Sequence, residues 1–215
     1  MTRHGESCDE MQDALALNNE DAFADAFSQH RDRLWRMVHF RLDRRLLGRV
    51  DADDILQETY LNAVQRLRHY FDAQPTSLFV WLRSIALQTM IDVHRRHLGA
   101  QKRNAEREIS LHAKQYPQAT SASIAAQLLG QLTSPSKAAM RAEIAGQLEH
   151  AFDEMDEIDK EVLALRHFEE MSNGEVAEVL GITQKAASIR YIRALKRLKK
   201  ILAATPGFAT EELDD

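Results

Sequence analysis

The chain carries a single cysteine, Cys8, among its 215 residues. No disulfide can form within it and no cysteine cluster can hold a metal, which fits a reducing compartment. Breakers are scarce too, with four prolines and eight glycines in all. Pro75, Pro117, Pro135 and Pro206 leave long stretches uninterrupted. A β-sandwich or barrel would need turn signals roughly every 8–12 residues, and no alternating β-branched run is long enough for a strand. The absence of both points to an all-α protein. No run reaches the roughly 18 apolar residues of a membrane span. The N-terminus has acids where a secretory signal would have a basic start and an apolar run. A soluble, cytoplasmic protein is therefore expected. No glycine-rich phosphate loop or nucleophile motif occurs, so neither catalysis, a cofactor nor a small-molecule substrate is expected. His94 and His97 are three residues apart, but two ligands do not make a zinc site.

What is present is a globular share of apolar residues, 44%, and a net charge of −5 that is unevenly spread. Residues 1–30 and 136–171 are acidic, whereas 31–50 and 183–202 are basic. Screening acts over roughly 8 Å at physiological salt, so a phosphate responds to the local segment more than to the total. The acidic total argues weakly against a nucleic-acid binder; the segregation argues for one. A solvated helix face remains the ordinary reading of a charge run.

Apolar spacing divides the chain into two helical blocks. In the first, residues 21–98, Phe23, Phe27, Leu34, Trp35, Val38 and Leu42 recur every three or four residues. Asp51 or Asp53 can cap a second helix carrying Ile55, Leu56, Tyr60, Leu61, Val64 and Leu67. After a loop from Phe71 to Ser77, a third helix carries Phe79, Trp81, Leu82, Ile85, Ala86, Met90 and Val93. Trp81 reads as core. Residues 99–135 form a linker rich in Gln, Ser, Ala and Thr, in which Ser121 to Leu132 has the length of a short helix. The second block is residues 136–203, followed by a short acidic tail.

The end of the second block has the order of a helix-turn-helix. Ser172 and Glu175 have the spacing of a capping box. Ala177 is small where two helices must cross, and Gly181 sits where the chain reverses. Thr183 can cap a second helix whose inward stripe is Ala187, Tyr191, Leu195, Leu198 and Leu202. That helix holds Lys185, Arg190, Arg193, Lys196, Arg197, Lys199 and Lys200 and no acid. Its first half is expected in the major groove, with Thr183, Gln184, Lys185, Ser188 and Arg190 as contacts; Arg193 and Arg197 lie further along, at phosphates. A basic amphipathic helix on a bundle or a membrane surface is the other reading.

The first block supplies a family resemblance. Asp51-Ala52-Asp53-Asp54-Ile55-Leu56-Gln57-Glu58-Thr59-Tyr60-Leu61 resembles the polymerase-binding helix of sigma-70 region 2. Trp81-Leu82, Ile85-Ala86, Asp92, Arg95 and Arg96 resemble the next helix in the extracytoplasmic-function (ECF) subgroup. Gly174 to Ile182, with Arg190 and Arg193-Ala194, is similar to the start of region 4. The resemblance implies a region 2 helical bundle and a region 4 helix-turn-helix joined by the linker. It implies a transcription initiation factor with core RNA polymerase and promoter DNA as partners, and an anti-sigma factor as a further one. Asp54, Gln57 and Glu58 would bind polymerase, on one helix face by their i, i+3, i+4 spacing. Arg83, Gln88, Asp92, Arg95 and Arg96 would serve the −10 element, and the helix-turn-helix residues the −35 element. Leu78 and Gln88 depart from the aromatic and the asparagine frequent in the family, which bears on how −10 bases are read.

Two other classes stay open on sequence alone. One is a dimeric helix-turn-helix regulator that reads a palindrome and never touches polymerase. The other is a degenerate relative that sequesters a partner.

Overall fold

The computed structural model describes residues 20–43, 46, 48–68, 70, 77–98, 118–132 and 138–205. Cys8, residues 71–76 of the expected loop, residues 99–117 of the linker and the acidic tail lie outside the described residues. Every regular element among them is helical, as the breaker-poor composition requires. The chain divides into two units, residues 1–117 and 118–215.

The first unit is built on α1 (Glu20–Arg41), α2 (Ala52–Gln65) and α3 (Leu78–Leu98), each packed on the other two. Asp51, rather than Asp53, caps α2. Its carboxylate accepts the Asp54 N–H at 2.9 Å, and the Asp54 carboxylate accepts the Asp51 N–H at 3.0 Å. Asp53 is left to face α1, where it pairs with Arg31 and accepts from Trp35 Nε1 at 3.3 Å. Aromatic side chains fill the junction of the three helices. Tyr60 lies 5.6 Å from Phe23 and 5.2 Å from Phe27, and Trp81 lies 5.3 Å from Tyr70, measured between ring centres. Trp81 is 8% exposed and belongs to this core. Asn62 on α2 donates to Thr89 on α3 at 3.1 Å, a polar tie between the two helices within their apolar contact.

The second unit contains α4 (Ser121–Leu132), α5 (Ala138–Asp153), α6 (Glu157–Leu163), α7 (Asn173–Leu180) and α8 (Gln184–Ala204). α4 falls inside the stretch expected as linker, yet it packs along α5. Ile124, Ala125 and Leu129 give it a buried apolar stripe. The residues leading into it are tied to α6: the Ala119 N–H donates to Glu161 at 2.9 Å, and Lys160 donates to the Ser121 hydroxyl at 3.4 Å. Composition concealed this attachment because its partners lie some forty residues away. α6 runs into a π-helical turn, Ala164–Phe168, and Glu170 beyond it adopts a left-handed φ of 53°. That conformation is uncommon for a residue with a Cβ and reverses the chain toward α7.

Candidate nucleic-acid interface

In the first unit the outward face of α2 carries Asp54, Gln57 and Glu58, as their spacing requires. Asp54 and Gln57 are exposed and Glu58 is half-buried. The capping box occupies part of the Asp54 carboxylate. Leu61 continues the same stripe and is 56% exposed. Its apolar character places it in the core by periodicity; the structure places it on the surface. The signal was present in its i, i+3 and i+4 relation to Glu58, Gln57 and the next turn of the helix.

Along α3 the expected −10 residues separate. Arg83 is only 5% exposed, so its guanidinium is not presented to solvent, and the structure removes it from the candidate surface. Its position explains this: it lies between Leu82 and Ile85 in the part of α3 enclosed by α1 and α2, where a long aliphatic stem adds to packing. Gln88 and Asp92 are half-buried and bonded to each other, Nε2 donating to Oδ1 at 3.2 Å. Arg95 and Arg96 are exposed in the last turn, where cations also complement the helix dipole. Arg96 reaches back to α2 and donates to both oxygens of Glu58 at 2.6 Å. The hydrogen bond to Glu58, together with its charge, raises the Arg96 pKa. His94 lies 3.4 Å from Asp43. One expected polymerase residue and one expected DNA residue are thus partners in the free chain.

The helix-turn-helix of the second unit forms from local rules. The Ser172 hydroxyl accepts the Glu175 N–H at 3.2 Å, and the Glu175 carboxylate accepts the Ser172 N–H at 2.8 Å. Gly181 ends α7 at φ 63°, the left-handed region that glycine enters at little cost. The Thr183 hydroxyl caps α8, accepting the Ala186 N–H at 3.1 Å. The inward seam of α8 is centred differently from the expected stripe. Ala187, Ala194 and Ile201 are the buried positions, with Tyr191, Leu195, Leu198 and Leu202 half-buried beside them. Two alanines let α8 approach its neighbours closely.

The arginines of α8 also fall elsewhere than expected. Asp159 on α6 is buried and takes Arg193 through two bonds, at 2.8 and 2.9 Å, and Arg190 at 3.2 Å. Arg193 also meets Asp156 at 3.4 Å, and Arg197 meets Glu154 at 3.0 Å. The hydrogen bond to Asp159 raises the Arg193 pKa. These three guanidiniums therefore lean toward the acidic segment of their own unit. Thr183, Gln184 and Lys185 are exposed at the start of the helix, and Ser188 is half-buried, accepting from Asn173 at 2.8 Å.

Two capped helices about a left-handed glycine, the second basic, define a DNA-binding module, and the first unit adds a separate helical bundle. Comparisons with known proteins agree. The description "Sigma-70 region 2" matches residues 26–99, and "Sigma-70, region 4" matches residues 151–200. The ECF RNA polymerase sigma factor SigW of Bacillus subtilis is 24% identical over 185 residues, covering 86% of this chain and 90% of SigW. The RNA polymerase sigma factor CarQ of Myxococcus xanthus is 27% identical over 186 residues, covering 85% of this chain and 90% of CarQ. The ECF sigma factor BldN of Streptomyces coelicolor is 25% identical over 195 residues, covering 90% of this chain and 65% of BldN. The fold matches that of CnrH, solved in complex with the cytosolic domain of CnrY, at a TM-score of 0.51 and 22% identity over 90% of this chain and 96% of that one. The chain belongs to the sigma-70 family, in its ECF subgroup, and is a transcription initiation factor that directs RNA polymerase to promoters.

Proposed function

We propose that the outward face of α2 docks on core RNA polymerase through Asp54, Gln57, Glu58 and Leu61. The observation that carries this reading is an exposed leucine set in one stripe with an amide and carboxylates. An apolar centre rimmed by charge is the make-up of an interface core, and the carboxylates suit a basic partner surface. Gln88, Asp92, Arg95 and Arg96 then face the −10 element, and Thr183, Gln184, Lys185 and Ser188 the −35 element. Arg190 and Arg193 act first as struts between α8 and Asp159, with Arg197 reaching phosphates at the edge of the groove. Binding two DNA elements through two linked units raises overall affinity by effective concentration. The chain works in the cytoplasm, where its polymerase is. A protein partner that holds it inactive, an anti-sigma factor, is part of the proposal, supported by the complex of CnrH with CnrY.

The test is co-elution of the full chain with bacterial core RNA polymerase beside a Gln57→Lys, Leu61→Asp variant. Both positions are exposed, so the variant keeps the Asp51–Asp54 capping box and the Glu58–Arg96 pair. Wild type is expected to co-elute and the variant to lose at least tenfold in affinity. Equal binding by the two would remove this face from the interface.

A further inference from the structure

The outward face of α8 carries a stripe whose apolar pair, Ile189 and Ile192, no role assigned above uses. Lys185, Ile189, Ile192 and Lys196 follow one another at helical spacing, on the side opposite the buried seam of Ala187, Ala194 and Ile201. Ile189 is 57% exposed and Ile192 is 54% exposed. A single exposed apolar residue is ordinary on a protein surface. Two β-branched residues one turn apart are less so, because isoleucine gives up helix propensity and here gains no core contact in return. The stripe is bounded by lysines, and α8 contains no acid.

We propose that Ile189 is a specificity-determining residue that reads the 5-methyl group of a thymine in the upstream promoter duplex. This rests on the sigma-factor reading and deepens it. The major groove offers this surface its complement. Its walls are phosphates, which suit Lys185 and Lys196, and the one apolar feature on its floor is the thymine methyl. Base edges are reached from the N-terminal turns of a recognition helix. Ile189 lies in the second turn after the Thr183 cap, whereas Ile192 lies a turn further out, toward the sugar-phosphate wall. The seam of small residues and the Asp159 struts fix the rotation of α8, so the stripe faces away from its own unit. The arginines that would otherwise read guanine are drawn toward acids on the flank. An apolar reader of thymine is what that arrangement leaves at the centre.

The experiment uses the holoenzyme, full chain on core polymerase. Wild type first selects its upstream element from a pool of duplexes randomised there. Each thymine of the selected element is then replaced by deoxyuridine, which removes only the methyl group. At one thymine the wild-type holoenzyme is expected to lose about fourfold in affinity, the worth of one buried methyl. Ile189→Ala, at an exposed position that tolerates alanine, should already be weakened by a similar factor and be indifferent to that replacement. Ile192→Ala should keep the sensitivity. An element without a selected thymine, a wild type indifferent to every replacement, or an Ile189→Ala holoenzyme as sensitive as wild type would overturn the proposal. Indifference of wild type with unchanged DNA binding by Ile189→Ala would assign the stripe to a protein partner instead. Failure of the chain to form a holoenzyme is seen before any DNA is added, and it would overturn the sigma-factor reading together with this one.

Discussion

The two units handle their exposed-helix arginines in opposite ways. In the first, Arg96 meets Glu58 at the surface, with side chains 55% and 38% exposed. A pair so placed is worth about 1 kcal/mol at most, and salt weakens it further. In the second, Arg190 and Arg193 converge on Asp159, whose side chain is 7% exposed. A buried carboxylate has lost its water and needs those donors. The first contact is therefore easily exchanged for a partner's charges, while the second is part of what holds a helix in place. The contrast teaches that formal charge is a poor guide to which arginine is available to DNA. Availability depends on the burial of the acid it has found.

That contrast is open to attack at its strong end first. Asp159→Ala should lower the unfolding free energy of the second unit by about 1–3 kcal/mol, the cost of removing an acceptor of charged hydrogen bonds. Denaturant unfolding would measure it, and −35 duplex affinity should fall with it because α8 loses its struts. Wild-type stability in this variant would mean that the arginines are held by something else, and the comparison would collapse. Arg83→Ala should likewise act on stability, by about 2 kcal/mol through lost packing of a buried stem. It should leave the salt dependence of promoter binding unchanged, whereas Arg95→Ala should reduce the slope by about one unit if Arg95 neutralises a phosphate. Equal slopes for the two variants would put Arg95 away from DNA.

At the weak end, Glu58→Gln should change stability by less than about 1 kcal/mol. Freed from the carboxylate, Arg96 should bind single-stranded −10 DNA up to about fivefold more tightly, the factor that energy allows. Fluorescence anisotropy on a labelled strand would read it. No gain in affinity would mean that the pair does not compete with DNA.

How much of this was legible in the sequence follows the range of the interaction. The Ser172–Glu175 capping box, the left-handed Gly181 and the Thr183 cap depend on residues two or three apart, and each stands where its spacing put it. The same holds for the face shared by Asp54, Gln57 and Glu58. Apolar character alone could not distinguish Leu61, which faces out, from Ile55 and Leu56, which are buried; only its phase with Gln57 and Glu58 does. α2 carries apolar residues on two sides, one buried and one exposed. Nor could it foresee that Asp159 would capture Arg190 and Arg193 from more than thirty residues away, or that Ser121 to Leu132 would pack on α5. Those are tertiary choices, fixed only once the helices are placed.

The smallest expected effect probes the same second unit from the other side of α8. His167, at the π-helical turn, lies 3.2 Å from the Tyr191 hydroxyl through Nε2, and Arg166 stands over the Tyr191 ring at 5.0 Å. Partial burial, and then the Arg166 charge, lower the His167 pKa. Protonation would place a partly desolvated imidazolium beside the Arg166 guanidinium, whereas the neutral ring incurs neither cost. The unfolded chain thus takes up a proton near the ordinary histidine value of about 6.5, and the folded unit only at lower pH. The contribution is fully present above about pH 6.5 and is lost as pH falls through the folded-state value. Thermal unfolding of wild type and His167→Gln between about pH 7.5 and pH 5 would expose it. Their stabilities should run parallel above about pH 6.5 and approach or cross below it. Parallel curves throughout would mean that His167 titrates alike in both states, and that this side of α8, unlike the Asp159 side, is held without reference to charge.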